Sequence, residues 1–353
     1  MGVMLAAMKM VRLRTQKLAK FGTVMVILVL SVISVSCEVI GRDNTPRLPG
    51  ATLLLGWPQD QLTLTTGDQT LTLPGQGNPW MISPSISADG RVIASALPGS
   101  DFALSRWEHM FTVATYSMTE HKWTVYPGLE LSHGTVSISP DGAKLACVAR
   151  VTPEGPLAFR ILDLNRRKLT EGEPPSQKSD NAISWSPDGR RIAFSANVEM
   201  PGDEPPVPEV FVMDAETGRA SKIANGWGPS WSPSGEWVAY FAGTAHIRDK
   251  RGWWHFKGPH GVSLVHPDGT DSQFIQKFEW AMNIRPIWSP DSKTLLLTSF
   301  PDDLTGKFDI FMLDLATCKL TKEFKHPPLI FGWVRADQNM VTAGFRSYKP
   351  IRQ

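Results

Sequence analysis

The sequence lacks the short motifs that mark several common enzyme classes. Its 353 residues contain no Gly-x-Ser-x-Gly nucleophile elbow, no glycine-rich phosphate loop and no Cys-x-x-Cys pair. Cysteine is scarce, with three residues at positions 37, 147 and 318. These absences disfavour a serine hydrolase, a nucleotide-binding enzyme and a dithiol site, and they favour a role other than catalysis.

Beyond the first residues, the chain has no excess of positive charge. The formal net charge of +2 comes from 36 basic and 34 acidic residues. Five of the cations (Lys9, Arg12, Arg14, Lys17 and Lys20) precede an apolar run and no acid accompanies them, so the rest of the chain has 31 basic against 34 acidic residues. A balance of −3 gives no electrostatic support to a nucleic-acid partner.

The N-terminus has the composition of an export signal. An uncharged apolar run covers residues 21–35 and ends in small residues before Cys37, which predicts a signal peptide over residues 1–36. Its end resembles a bacterial lipoprotein signal, which implies lipid on Cys37; Ser34 stands where that family usually has an aliphatic residue. The alternative is an uncleaved anchor helix, for which the run is short. Both place the remainder on the extracytoplasmic side of a bacterial membrane.

One short phrase recurs six times and dominates the rest of the chain. One copy, residues 185–189, reads Trp-Ser-Pro-Asp-Gly, and the others are variants of it. The six copies end at positions 90, 142, 189, 235, 292 and 338, which are 52, 47, 46, 57 and 46 residues apart. Proline presets φ, Asp bonds its own backbone and Gly accepts positive φ, so the phrase predicts a tight turn. Short apolar segments on both sides predict a hairpin, and a more polar hairpin follows each one. The period fits four strands per repeat.

These residues resemble the TolB-type β-propeller repeat. The resemblance rests on Trp-Ser-Pro-Asp-Gly followed by Ile-Ala-Phe and a Met-Asp-x-x-x-Gly strand, and it covers residues 79–345. It implies an all-β, six-bladed propeller of four-stranded antiparallel blades over residues 50–353. Residues 37–49, poor in apolar side chains, would form a tether.

The last repeat is incomplete in the sequence. After the strand-like residues 341–345 the chain ends before a second hairpin, so outer strands are missing. Residues 51–55, 61–65 and 69–73 are strand-like and precede the first repeat. We expect them to close the ring by pairing with the last blade, which removes an open sheet edge.

The repeated Asp and Trp residues have structural explanations. Asp89, Asp141, Asp188 and Asp291 suit the turn itself, because the repeat has no calcium-type series of ligands. Trp185, Trp231 and Trp288 recur at one position and are expected to pack between neighbouring blades. Cys147 and Cys318 are expected to be unpaired, with Cys147 a small core residue.

Two sets of residues are candidates for function. Polar residues that precede inner strands would lie at the mouth of the central channel: Asn78, His133, Asn181, Asn283 and Arg285. A metal-dependent hydrolase or lactonase would need such residues as ligands, whereas water-binding loop residues are the simpler interpretation, and no cofactor is predicted. The second set lies in loops expected on one face, at His246, Arg248, Arg251, Trp253, Trp254, His255 and Trp107.

The loop over residues 243–261 combines cations with exposed-type aromatics. Such a surface suits a protein partner, an envelope glycan or the membrane headgroup layer; alternatively, its two tryptophans pack over the propeller. The sequence therefore predicts a protein- or ligand-binding scaffold at the cell envelope. A metal-dependent propeller enzyme and an accessory propeller for a separately encoded enzyme are the alternatives.

Overall fold

The described part of the chain is built from β-strands. The computed structural model describes residues 39–41, 52–57, 62–66, 69–73, 82–98, 111–150, 158–172, 179–198, 207–243, 245–248, 254–257, 261–278, 285–299, 309–324 and 329–335. Within these ranges there is no helix, and hence none with the length and apolarity needed to cross a membrane. The predictions for residues 1–38, including lipidation of Cys37, fall outside them. The all-β prediction is confirmed.

The described residues form twenty-six strands. They are β1 (Val39–Gly41), β2 (Thr52–Trp57), β3 (Thr63–Thr66), β4 (Gln69–Thr72), β5 (Ile82–Ser83), β6 (Ser85–Ile86), β7 (Val92–Pro98), β8 (Phe111–Ser117), β9 (Lys122–Ile138), β10 (Lys144–Arg150), β11 (Ala158–Asp163), β12 (Lys168–Gly172), β13 (Ser179–Trp185), β14 (Arg191–Val198), β15 (Val207–Asp214), β16 (Ala220–Trp231), β17 (Val238–Ala242), β18 (Ala245–Arg248), β19 (Trp254–Lys257), β20 (Gly261–Val265), β21 (Gln273–Lys277), β22 (Ile287–Trp288), β23 (Thr294–Ser299), β24 (Asp309–Asp314), β25 (Lys319–Phe324) and β26 (Leu329–Arg335).

Five successive units each contain four antiparallel strands in chain order. The first is β6, β7, β8 and the start of β9; the second is the end of β9 with β10, β11 and β12. The third is β13, β14, β15 and the start of β16, and the fourth is the end of β16 with β17, β20 and β21. The fifth is β22, β23, β24 and β25. In every unit the repeated phrase joins the two innermost strands, as the sequence predicted.

Two long strands belong to two units each. In β9, Lys122 pairs with Ser117 of β8, while Ile138 pairs with Leu145 of β10. Likewise β16 pairs first with β15 and then with β17, with a shift of register in each ladder. The outermost strand of one unit thus continues directly into the innermost strand of the next unit.

A further four-stranded sheet, here called the terminal sheet, combines both ends of the chain. Its order is β26, β2, β3 and β4, and Leu54 of β2 pairs with Trp333 of β26. The strands before the first repeat therefore pair with the last repeat, as expected. The place beside β26 is taken by β2, so three of the four strands come from the N-terminal side.

Each inner strand lies against the next. β6 contacts β9, β9 contacts β13, β13 contacts β16, β16 contacts β22, and β26 contacts both β22 and β6. Apolar side chains fill the space between neighbouring units: one cluster joins Leu64 of the terminal sheet to Ile93 of the first unit and Leu145 of the second. Another joins Ile287 of the fifth unit to Ile330 of β26. Burial is thus spread over the interfaces between sheets, as in repeat proteins.

Three smaller features complete the fold. Cys147 of β10 is fully buried in the core, and burial raises the pKa of its thiol to about 12, as expected for an inert core cysteine. Cys318 lies in the turn between β24 and β25, and both cysteines are free. Within the predicted tether, β1 pairs in parallel with β25.

Candidate functional site

The repeated phrase forms a closed hydrogen-bond network in each turn. In the third unit, the Ser186 hydroxyl donates to the Asp188 carboxylate at 2.5 Å, and the same carboxylate accepts the Arg190 N–H at 3.0 Å. The Ser186 oxygen also accepts the Arg191 N–H at 2.9 Å, which fixes the start of the next strand. The same bonds recur at Asp89, Asp141 and Asp291. Turn capping of these aspartates is confirmed.

The hydrogen-bonding capacity of the turn carboxylates is already used within the turns. The serine hydroxyl is the largest cause that holds the pKa of Asp188 and Asp291 below the ordinary value for aspartate. The following Gly189 has φ of 66°, and Ser292 adopts 61° at the same position of the fifth unit. These groups stabilise turns and leave little capacity for binding a ligand.

The tryptophans before the turns connect neighbouring units. The indole N–H of Trp185 donates to the Ser137 carbonyl of the preceding inner strand at 3.1 Å, and Trp288 does the same to Ser230 at 2.8 Å. Trp231 instead donates to Gly235 in its own turn, and the guanidinium of Arg191 from the preceding unit lies 4.9 Å from its ring centroid. The prediction that these rings pack between units is confirmed.

A serine one residue before the phrase links the inner strands a second time. The Ser85 hydroxyl oxygen accepts the N–H of Ile138 at 2.7 Å, and that of Ser184 accepts the N–H of Trp231 at 2.9 Å. Both bonds cross from one unit to the next. Sequence analysis missed these serines, although the recurrence of serine at 85, 137, 184 and 230 was visible in the printed sequence.

These inner strands surround a cavity of about 220 Å³. Its lining combines serine, proline, isoleucine, alanine and tryptophan residues with one arginine. They are Ser85, Ile86, Ala88, Ser137, Ile138, Pro140, Ser184, Trp185, Pro187, Trp231, Ser232, Pro233 and Arg285. Trp185 and Trp231 thus have a second role, because they line this cavity as well as packing between units. Four units and the residues that enter a fifth contribute to it.

Arg285 is the charged residue in this wall. It precedes β22, and its guanidinium donates a hydrogen bond to the Ile183 carbonyl of β13, two units away along the chain. Burial lowers the pKa of Arg285 to about 10, so the side chain remains a cation at neutral pH. Among the described residues no carboxylate forms an ion pair with it.

Arg285 is the channel-mouth candidate whose position the structure gives in full. His133 lies in β9 and Asn181 in β13, with side chains outside the described set, and Asn78 and Asn283 fall outside the described residues. Within the described ranges no three His, Cys, Asp or Glu side chains are grouped to hold a metal ion.

The long loop contains a hairpin that sequence analysis missed. β18 and β19 are antiparallel, and their register pairs His246 with Phe256, Ile247 with His255, and Arg248 with Trp254. Trp107, Arg251 and Trp253 lie outside the described residues. Apolar and polar residues alternate over 245–248 and 254–257, which is typical of β-strands. The high polarity of the segment obscured this pattern.

Comparison with solved structures identifies the fold. TolB from Acinetobacter baumannii aligns with a TM-score of 0.57 at 14% sequence identity, over 82% of this chain and 68% of that chain. A protein assigned as TolB in Agrobacterium tumefaciens gives a TM-score of 0.50 at 16% identity, over 77% and 87% of the two chains. The nidogen/laminin complex gives 0.53 at 10% identity, over 80% and 97%. No protein-family model and no curated protein matches the sequence.

The class defined by the fold is therefore the β-propeller. More narrowly, this chain is a TolB-like propeller, and each four-stranded unit corresponds to a blade. At these identities the likeness establishes the fold alone.

Proposed function

We propose that this protein is an exported, TolB-like propeller that acts as a binding scaffold at the cell envelope. The observation that carries this proposal is that the polar side chains of the turns are used in hydrogen bonds, whereas the inner strands line a cavity. Serine and aspartate side chains of the repeated phrase are occupied by turn hydrogen bonds, whereas the inner strands line a cavity whose cation, Arg285, has no carboxylate partner among the described residues. Concave sites with few polar groups typically bind ligands.

The proposed ring has six blades, with the terminal sheet as the sixth. Contacts of β26 with both β22 and β6 support this count, because a sixth blade between the fifth and first units would make both contacts. The shared core of Leu64 and Ile93 supports it further. A closed ring removes exposed strand edges, which would otherwise pair with other chains.

Export and anchoring rest on the N-terminal sequence. Residues 1–36 act as the signal, Cys37 receives lipid, residues 37–49 link the lipid to the fold, and residues 50–353 form the propeller. Partners are a protein or an envelope glycan, bound through the cationic and aromatic segment that includes Arg248 and Trp254 of the β18–β19 hairpin.

The anchoring step can be tested by metabolic labelling with radioactive palmitate in a bacterial host. We expect the protein to be labelled and to fractionate with membranes, and Cys37→Ser to be unlabelled with its signal retained. Cys318→Ser is the matched control and should behave as the wild type. An unlabelled wild-type protein that keeps residues 1–36 would support the anchor-helix alternative, and recovery in the cytoplasm would refute export.

The binding role can be tested by site-specific photo-cross-linking in the same cells. A cross-linker in place of Trp254 in β19 should capture a protein or glycan, because the hairpin is proposed as the partner surface. The control position is Val125, an exposed residue of β9 with 48% of its surface accessible. Equal capture from both positions, or none from Trp254, would argue against this surface.

A further inference from the structure

The cavity combines a partly buried cation, Arg285, with several hydrogen-bond donors. The Arg285 guanidinium has five N–H donors. Among the described residues, it donates one hydrogen bond, to the Ile183 carbonyl. A guanidinium that is partly removed from water, with no carboxylate partner among the described residues, favours an anion, and an anion that entered the cavity would offset the cost of its desolvation. The described wall residues include no Asp or Glu that could repel such an anion.

The serine hydroxyls of the wall can add to this donor set. Ser85 and Ser184 use lone pairs to accept backbone N–H groups from Ile138 and Trp231. The hydrogen of each hydroxyl can still be donated to a ligand. The indole N–H groups of Trp185 and Trp231 are already bonded to carbonyls, so these rings contribute apolar surface to the wall.

Much of the remaining lining is apolar, and the cavity has room for a small ligand. Ile86, Ile138 and the two tryptophans lie around the cavity, whose volume is about 220 Å³. An apolar cavity of roughly 150 Å³ is large enough for benzene. The space therefore fits a ring or a branched aliphatic group that also bears one small charged group.

We propose that this cavity binds a small monocarboxylate with an apolar body, with the carboxylate on Arg285 and the body between Trp185 and Trp231. A planar carboxylate matches the fork of a guanidinium, and the flanking serine hydroxyls donate to the same oxygens. The inference adds a ligand class to the scaffold role and rests on that role, although it requires neither export nor lipidation.

The test uses the full chain purified in mild detergent and calorimetric titration with benzoate. The neutral isostere benzamide is the matched ligand. We expect benzoate to bind about tenfold or more tightly than benzamide, because the charge pair with a desolvated guanidinium is lost in the amide. Quenching of tryptophan fluorescence should accompany binding, because two indoles line the site.

Arg285→Gln should weaken benzoate binding about tenfold or more, and Arg285→Lys should weaken it less, because it keeps the charge without the planar fork. Arg190→Gln, the same change at an exposed turn position, should have no effect. Equal binding of benzoate and benzamide, no benzoate binding, or unchanged binding by Arg285→Gln would overturn the proposal. Tighter binding of inorganic phosphate than of benzoate would also overturn it. If Arg285→Gln fails to fold, the affinities of the wild-type protein for benzoate and benzamide still test the proposal.

A failure of benzoate binding is distinguishable from a failure of the scaffold role. The labelling and cross-linking experiments report export and partner capture in cells, and neither depends on the cavity. Conversely, benzoate binding by purified protein would persist if the chain were not lipidated.

Discussion

The third unit and the terminal sheet contain the same number of strands but are assembled from different parts of the chain. β13 to β16 follow one another directly, and the phrase that ends with Gly189 joins the first two. In the terminal sheet, β26 pairs with β2 from the opposite end of the sequence. Pairing of distant segments costs more loop-closure entropy than a local hairpin, so packing against neighbouring units must stabilise the terminal sheet.

This difference explains why the last copy of the phrase has lost its turn residues. In the first five units the phrase must join two antiparallel inner strands, which requires a serine, a positive φ and usually an aspartate. In the terminal sheet the two inner strands, β26 and β2, are not consecutive in the chain. No single turn has to join β26 to β2, and the sixth copy of the phrase reads Val-Arg-Ala-Asp-Gln.

The largest expected effect tests whether the terminal sheet is an integral part of the fold. Leu64 of β3 and Leu145 of β10 are both fully buried, in the same apolar cluster. Leu64→Ala should lower the free energy of unfolding by about 2–5 kcal/mol, because it leaves a cavity in that core. Urea denaturation measures the change.

Leu145→Ala is the matched control in a unit with local pairing, and it should cost a similar amount. If Leu64→Ala left the urea midpoint unchanged while Leu145→Ala lowered it, the terminal sheet would be a peripheral addition. A separate transition for the terminal sheet would equally contradict closure of the ring.

A medium effect distinguishes the tryptophans of the two regions. Trp288 donates to the Ser230 carbonyl at 2.8 Å, whereas the buried indole N–H of Trp333 in β26 has no hydrogen-bond partner among the described residues. Trp288→Phe removes the indole hydrogen bond between two units and should cost about 1 kcal/mol more than the ring volume alone. Trp333→Phe removes an unsatisfied donor and should cost less.

Thermal unfolding of the two variants gives the comparison directly. Equal losses would show that the indole hydrogen bond between the fourth and fifth units does not contribute. A larger loss for Trp333→Phe would indicate that its N–H has a partner beyond the described residues.

The sequence predicted the regular units well because their signals are local. Turn chemistry at Ser186, Asp188 and Gly189 is encoded within four residues, and the strands on either side alternate or are continuously apolar. The position of Trp185 between units followed from its recurrence once per unit.

The cavity was harder to predict because it depends on distant residues. Arg285 reaches Ile183 across 102 residues of sequence, and no local pattern encodes that contact. Sequence analysis proposed Arg285 as a channel-mouth residue from its position before a strand, and the structure gives it as one of the residues that line the cavity. It assigned Trp185 and Trp231 to packing alone. Their recurrence once per unit predicts burial, but it does not predict that the same residues also line a cavity.

The smallest expected effect concerns the aspartate-containing turns of the regular units. The folded-state pKa of Asp188 lies below its ordinary value, so the folded state favours the ionised carboxylate. The stability that this provides is fully present above the ordinary pKa of aspartate and is lost as the pH falls through the folded-state pKa. Asp188→Asn should therefore lose less stability on acidification, while at neutral pH it should cost less than about 1 kcal/mol, because the amide oxygen still accepts both bonds.

The measurement is the urea midpoint as a function of pH, from neutral to about pH 3. The fourth turn offers a natural control, since Ser234 stands there in place of aspartate and bonds to the Ser232 hydroxyl at 3.0 Å. Asp188→Ser should reproduce that arrangement and give the same shallow acid dependence as Asp188→Asn. Because Asp141 and Asp291 also have lowered pKa values, the acid dependence should become shallower without vanishing. Identical acid profiles for the wild type and both variants would show that the turn carboxylates do not contribute through their charge.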